Sequence, residues 1–248
     1  MATANRIVLP RDHYADIAPR SARSLSRRLA IVLAALVAAV ATIAVTAELR
    51  GGSQTPADEI LAATNPPDVQ VSALPGVDLR PVTRLPGLSA SSGPFPDVDS
   101  SISYRGREVG VRLEGRPASS SVVDHPQLVS GQWLRPGAVV VERKLAKTFG
   151  LQVGEQVRVT TSQGALPLAV AGIAATAASE RYPSESRGLA YVLPETLSRI
   201  VPNQTTYGST LLLRLSNTGD TRSVVRSIGA RFPGAQVAVH DFKGLRGR

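Results

Sequence analysis

VVVERKLAKTFGLQVGEQVRVTTSQGALPLAVAGI, residues 139–173, is the stretch that decides the fold. Val139-Val140-Val141 is apolar on both faces of an extended chain and reads as a buried strand. Glu142 to Phe149 reads as a short helix: Leu145 and Phe149 stand one turn apart with Ala146 beside them. Glu142 falls in its first turn, where the helix dipole favours an acid. Gly150 supplies a left-handed C-cap, and Leu151 packs back onto the helix. Gly154-Glu155 turns the chain into Val157-Arg158-Val159-Thr160, an alternating strand. Ser162-Gln163-Gly164 makes a hairpin turn, and Leu166, Leu168 and Val170 return on one face. Together with Leu128 onward, this predicts a compact, mostly β subdomain over about 128–174.

On the C-terminal side, Leu189–Leu193 reads as a strand and Pro194–Val201 as a short helix opened by proline. Leu211–Leu215 is a second strand. Asp220–Phe232 is an amphipathic helix carrying Val224, Val225, Ile228 and Phe232, stopped by Pro233-Gly234; Ala235–Val239 closes as a strand. Strand, helix and strand in that order predict a βαβ unit. On the N-terminal side, Thr55-Pro56-Ala57-Asp58 starts a helix that runs to about Ala63. Asp68–Leu74 alternates as a strand, Pro81–Leu85 reads as a shorter one, and the Ser, Gly, Pro and Asp of 87–99 read as a loop. Ile102 and Tyr104 lead through Arg105-Gly106-Arg107 into Val109, Val111 and Leu113, a hairpin that Gly115-Arg116-Pro117 stops. Ser119 to Ser121 begin a polar loop. The class is α+β, in about 200 residues that fold as one domain or as two interleaved subdomains.

All of this follows Leu29 to Ala47, LAIVLAALVAAVATIAVTA, which holds no charge, proline or glycine. As a helix its nineteen residues reach roughly 28 Å, close to the hydrocarbon thickness of a bilayer. Arg20, Arg23, Arg27 and Arg28 stand before it, so residues 1–28 are expected in the cytoplasm and residues after about 50 outside. A buried core helix would need a polar face, which is absent. A cleaved signal peptide is the rival, since Val45-Thr46-Ala47 has the small residues a signal peptidase requires. The apolar run exceeds the usual 7–15 or so residues of such peptides, which favours a retained single transmembrane helix.

Composition narrows the rest. The net charge is +9 and there is no cysteine, so disulfides are excluded. Residues 1–28 carry six arginines against Asp12 and Asp16, a juxtamembrane excess suited to anionic lipid. The remaining charge is spread among interspersed acids, with no basic run interleaved with aromatics, which argues against nucleic acid. No phosphate loop or nucleophile elbow occurs, and His13, His125 and His240 are too scattered for a zinc site. Ser119-Ser120-Ser121 would hold a nucleophile only if His125 faced it with Asp124 behind; a polar loop is the plainer reading. His240 and Asp241 are strand neighbours facing opposite sides. Glu142 and Glu155 lack a second carboxylate at a useful spacing. Trp133, the only tryptophan, reads as a plug between subdomains, with a ligand platform as the other reading. Asn203-Gln204-Thr205 matches a glycosylation acceptor, meaningful only in a eukaryotic secretory setting. No catalytic, cofactor-binding or metal residue is assigned, and no enzyme is expected.

The ordered motifs carry a resemblance. Leu128-Val129-Ser130-Gly131-Gln132-Trp133-Leu134 is followed by Pro136-Gly137, then by Val139–Ala146, Phe149–Val159 and Val170–Ile173; Leu74-Pro75-Gly76-Val77 and Leu113-Glu114-Gly115-Arg116 precede them. This succession, over about residues 25–240, resembles the extracytoplasmic core of FtsX-like (MacB-type) ABC transporter permeases. Glu155 stands where that family more often has Asp. The resemblance implies a first transmembrane helix (29–47) and an extracytoplasmic domain (53–240) made of an α/β porter-like part and an inserted mostly-β subdomain. It also implies a cytoplasmic ABC ATP-binding subunit as partner, and further permease segments or a homodimer partner, in a bacterial cell membrane. The chain stops, after a tail of 241–248, where the resemblance places the second helix. A fragment, a truncated product or a split permease, not competent for transport alone, is therefore expected. A single-pass sensor or binding protein using the same outer domain is the alternative.

Overall fold

The computed structural model describes residues 63–177, 187–234 and 236–242. The expected anchor, the cytoplasmic segment and the helix after Thr55 up to 62 lie outside them, as does the expected tail from 243; Asp241, expected in that tail, ends a strand. No helix among the described residues is long and apolar enough to cross a membrane.

One mixed sheet runs through the unit that spans 57–248. Its strands are β1 (Val69–Ala73), β2 (Leu88–Tyr104), β3 (Arg107–Gly115), β4 (Gln127–Gly131), β5 (Ala138–Glu142), β6 (Gln156–Thr161), β7 (Gly164–Ala175), β8 (Gly188–Val192), β9 (Gly208–Leu215) and β10 (Val237–Asp241). Among the described residues the helices are α1 (Arg143–Phe149), α2 (Pro194–Ile200) and α3 (Thr221–Arg231).

At one end, β10, β1, β9 and the first half of β2 lie side by side, all antiparallel. Both β1 and β2 flank β9, and both β9 and β10 flank β1. Each chain-adjacent pair is therefore split by a strand from the other pair, the interleaved pattern of split βαβ units. The expected βαβ of β9, α3 and β10 takes this split form. In the first unit the connection is only a 3-10 turn, Arg80–Arg84. Val69, Val71, Leu211 and Leu213 on one face pack with Val82, Leu79 and the Val224 and Ile228 of α3.

Beyond Asp97, β2 leaves β9 and pairs with β3 instead. From there β3 pairs β8, β8 pairs β5, β5 pairs β7, β7 pairs β6, and β6 returns to β2 through Ile102↔Val159. Six strands close a small barrel, which removes the exposed edges. Its interior holds Ile102, Val111, Leu113, Val139, Val141, Val157, Val159 and Leu168, with Leu145 of α1 and Leu197 and Ile200 of α2 packed against them. Segment 128–174 supplies four strands of this region, and the closure also draws on 97–115 and 188–192. Val139 to Val141 are all fully buried. Val140 faces outward into a second cluster with Trp133 and Tyr191.

Two expectations are corrected. Residues 81–85 form the 3-10 turn rather than a strand, because Pro81 lacks the N–H for a ladder and presets a turn dihedral. Of residues 87–99, all but Gly87 are not a loop but the greater part of β2. Pro94 and Pro96 are tolerated because that half of β2 pairs only with β9, leaving its other side an edge; pairing with β3 starts at Asp97. The polar composition follows from the same exposure.

Candidate functional site

Where β3 ends, Glu114 and Arg116 extend from alternate positions onto one side of the chain. Arg116 is 2% exposed, Glu114 4% and Asp124 0%. The Arg116 guanidinium donates from Nε to Glu114 Oε1 and from Nη2 to Asp124 Oδ2 at 3.2 Å. From Nη1 it also reaches Ser121 Oγ at 3.0 Å and the Asp124 carbonyl at 3.1 Å. Its Cζ lies 4.0 Å from the Phe95 ring centroid and 5.4 Å from that of Tyr191. Thr176, just past β7, donates to Asp124 Oδ1 at 2.6 Å. Segments far apart in the chain are thus gathered on one cation.

Burial drives these ionisations. Burial pushes the Glu114 carboxyl up, with Arg116 opposing. Burial works against the Arg116 charge, yet Glu114, Tyr191 and Asp124 together hold it above its ordinary value. Burial, and then the nearby Asp124, hold the Tyr191 phenol protonated.

The loop after Arg116 crosses to the segment that leads into β1. Asp124 N donates to the Asn65 carbonyl at 2.9 Å and His125 N to the Thr64 carbonyl at 2.7 Å. The Asn65 side chain donates to the Val122 carbonyl, and Gln127 Nε2 to that of Ala63 at 3.1 Å. Val123, fully buried, packs with Phe95 and Leu212 on the second face of the outer sheet, and its N–H donates to Ser92 Oγ at 2.8 Å. Asn65 and Asp124 both sit at φ 49°, in the left-handed region that Asn and Asp tolerate. Pro66 and Pro67, both buried, join this contact to Asp68. Asp68 donates its N–H to Leu213 O at 2.9 Å, accepts Leu215 N on Oδ2 at 2.7 Å, and accepts Phe242 N on its carbonyl at 3.0 Å. Asp68 and Phe242, near the two ends of the described residues, therefore stand side by side at one end of the outer sheet.

The residues singled out from sequence fall as follows. Ser121 Oγ donates to the Asp124 carbonyl at 2.7 Å, and Asp124 is committed to Arg116 and Thr176. His125 Nδ1 is buried without a hydrogen-bond partner. The three therefore do not form a nucleophilic triad. His240 and Asp241 are exposed positions of β10. Glu142 is the N-cap of α1, accepting from Lys144 N at 2.7 Å and Leu145 N at 3.2 Å. Gly150 is its left-handed C-cap at φ 68°. Glu155 accepts from the Tyr104 hydroxyl, from Arg105 Nη2 at 2.9 Å and from Gln152 N at 2.7 Å, so it ties the 152–155 turn to the 104–107 hairpin. These bonds, Tyr104's foremost, hold its carboxyl below the ordinary value. Trp133 stacks at 45° on Tyr191, 5.6 Å between centroids, and donates to the Pro117 carbonyl at 3.1 Å. Asn203 caps the 3-10 turn Gln204–Thr206. Sequence alone gives Arg116 and Glu114 no site role, although opposite charges two apart on an extended segment are a legible signal. Among the described residues no group of three acidic or histidine side chains could hold a metal ion.

A cleft of about 660 Å³ opens between the outer sheet and the barrel, lined by Leu74, Asp97, Asp99, Arg112, Val201 and Gln236, among others. Thr210 Oγ1 donates to Asp97 Oδ2 at 2.8 Å. Burial nevertheless pushes the Asp97 carboxyl up to about 6, the Thr210 bond opposing and Glu114 adding to the shift.

No family model and no curated protein matches the chain. Among solved structures, it is similar to the extracellular domain of the noncanonic ABC-type transporter YknZ from Gram-positive bacteria. The two are 12% identical with a TM-score of 0.42, over 70% of this chain and 100% of that one. It is also similar to the periplasmic region of MacB from Actinobacillus actinomycetemcomitans, at 10% identity and a TM-score of 0.42, over 70% of this chain and 88% of that one.

Proposed function

We propose that this chain is the membrane-anchored extracytoplasmic portion of an ABC-type permease subunit. In this role it couples ATP-driven motion of a cytoplasmic partner to export or mechanical signalling outside the cell. The observation that carries the reading is the pairing of Phe242 N with the Asp68 carbonyl at 3.0 Å. A domain carried between membrane segments needs its incoming and outgoing chain together, and the contact of Asp68 with Phe242 supports that arrangement. The charge-free run 29–47 with its basic N-terminal flank supplies the anchor, with residues 1–28 cytoplasmic and the unit from about 53 outside. The ordered motifs from Leu128 to Ile173 support the same class. On this reading the partners are the bilayer and an ATP-binding subunit, with further permease segments or a second copy alongside. The paired part of the buried cluster serves structure and coupling, because Arg116, Glu114, Asp124 and Thr176 bond one another instead of facing a substrate.

Affinity purification of the full chain from its native membrane tests this. Recovery of a cytoplasmic ATP-binding subunit, cross-linkable from residues 1–28, is expected; repeated recovery without one overturns the reading. A second reading, a single-pass binding protein, is favoured by the cleft beside Asp97. Saturable small-molecule binding abolished by Arg112→Ala, in a chain that meets no ATPase, would select it.

A further inference from the structure

We propose that residues 121–125 act as a strap that couples the lead-in segment 63–67 to the barrel, with Arg116 as the positioning residue that holds the strap. Its use as a force relay rests on the permease reading above; its existence as a mechanical link does not. The lead-in has two holds. Asp68 fixes its end to β9 and to Phe242 through three hydrogen bonds. The strap fixes its start through the Asn65 and Thr64 carbonyls, the Asn65 side chain and Gln127. The buried Pro66-Pro67 between the two holds has restricted φ at both residues, so it transmits displacement instead of absorbing it. The strap is anchored by Arg116, which also grips Glu114 at the end of barrel strand β3, while Thr176 ties Asp124 to the end of β7. A movement of the lead-in therefore reaches the outer sheet through Asp68 and the barrel through Asp124. β2 and the segment from β8 through α2 to β9 are backbone links between sheet and barrel; the strap is a further link built of side chains and two backbone bonds. A loop that merely connected β3 to β4 would not need a buried guanidinium or two left-handed non-glycine residues facing each other.

The absence of cysteine lets introduced thiols carry spin labels uniquely. Ala63→Cys paired with Gln163→Cys reads the lead-in against the barrel; Ala63→Cys paired with Arg222→Cys reads it against α3 and the outer sheet. All three positions are exposed. In the solubilised full chain, both pairs are expected to give narrow distance distributions. Asn65→Gly with Gln127→Ala removes the side-chain ties without touching the ion cluster, and glycine keeps the backbone at φ 49°. In that variant the barrel pair is expected to lose its single narrow peak while the outer-sheet pair keeps it. Exchange of the Asp124 and His125 amides should then be roughly tenfold faster, as two ordinary hydrogen bonds no longer brace the contact. A barrel pair that stays narrow overturns the proposal. So does broadening of both pairs together, which would make the lead-in one loose element. No ATP-binding partner takes part, so failure of the permease reading leaves this result untouched.

Discussion

Arg116→Met takes the guanidinium out of the buried cluster and leaves an unbranched apolar chain against Phe95 and Tyr191. Its side chain is 3% exposed, and those of Glu114 and Asp124 are 5% and 0%. Two buried carboxylates then lose their counter-charge, and breaking such a pair typically costs about 3–5 kcal/mol. The cation–π contact at 4.0 Å to Phe95 goes as well. The carboxylates can lower the cost by taking up protons, and burial already pushes Glu114 upward with Arg116 as the opposing influence. Without Arg116 it rises further. A carboxyl whose folded pKa exceeds its unfolded value destabilises increasingly as pH climbs from the unfolded value through the folded one. The variant should therefore approach the parent at acid pH and fall furthest behind at neutral pH. At about 2–4 °C per kcal/mol for a unit of this size, the neutral-pH melting point should drop by roughly 6–20 °C. Trp133, against Tyr191 and the Pro117 carbonyl, is a built-in fluorescence probe for urea unfolding. A loss under about 1 kcal/mol at pH 7.5, or an equal loss at pH 5, would refute a charge-paired cluster.

Three further perturbations test other parts of the structure. Asp97→Asn should remove a penalty that grows in the parent as pH rises from about 4 to about 6, where the folded carboxyl titrates; the gain above that window is at most about 3 kcal/mol, and a parent whose urea midpoint is flat across it would contradict the burial. Glu142→Ala strips α1 of its N-cap and should cost about 1 kcal/mol in urea denaturation, with an unchanged midpoint counting against the capping role. In Gly172→Ala the new Cβ would stand 2.4 Å from the Gln132 carbonyl, backbone against backbone. Separating β4 from β7 should cost about 1–3 kcal/mol and speed exchange of the Gln132 amide, which bonds Ala171 O; an isoenergetic variant would mean that the crossing relaxes freely.

What sequence made legible was local. Val157 and Val159, or Val109, Val111 and Leu113, alternate because one face meets the barrel core and the other meets solvent. Gly150 and Glu142 announce the two ends of α1 by their own chemistry. The 87–99 stretch failed this test because an edge strand pairs on one side only, so serine and proline satisfy it as well as valine would. Barrel closure left little trace, since the ladder between β2 and β6 is just Ile102↔Val159 and Ser103↔Arg158, extended by serine side chains of β2. The cluster was hidden for a related reason. Glu114, Asp124, Thr176 and Tyr191 belong to four separate segments, and only the register of β3 on β8, which sets Glu114 beside Tyr191, brings two of them together.

The same topology explains why the coupling elements lie where they do. β2 serves two sheets in succession, with β9 beside its first half and β3 beside its second, and the change of partner falls at Asp97. Near this change the strand has prolines at 94 and 96 and a register shift between Ser92 and Phe95, so its ladder is locally thinned. A thinned strand is a weak lever arm between sheet and barrel. Phe95, at that place, is the residue covered by Arg116. The ion cluster thus reinforces the backbone where its own hydrogen bonding is sparsest, and the strap it holds reaches the lead-in. Weakening β2 there and weakening the strap should therefore be non-additive, because each carries load that the other can take up.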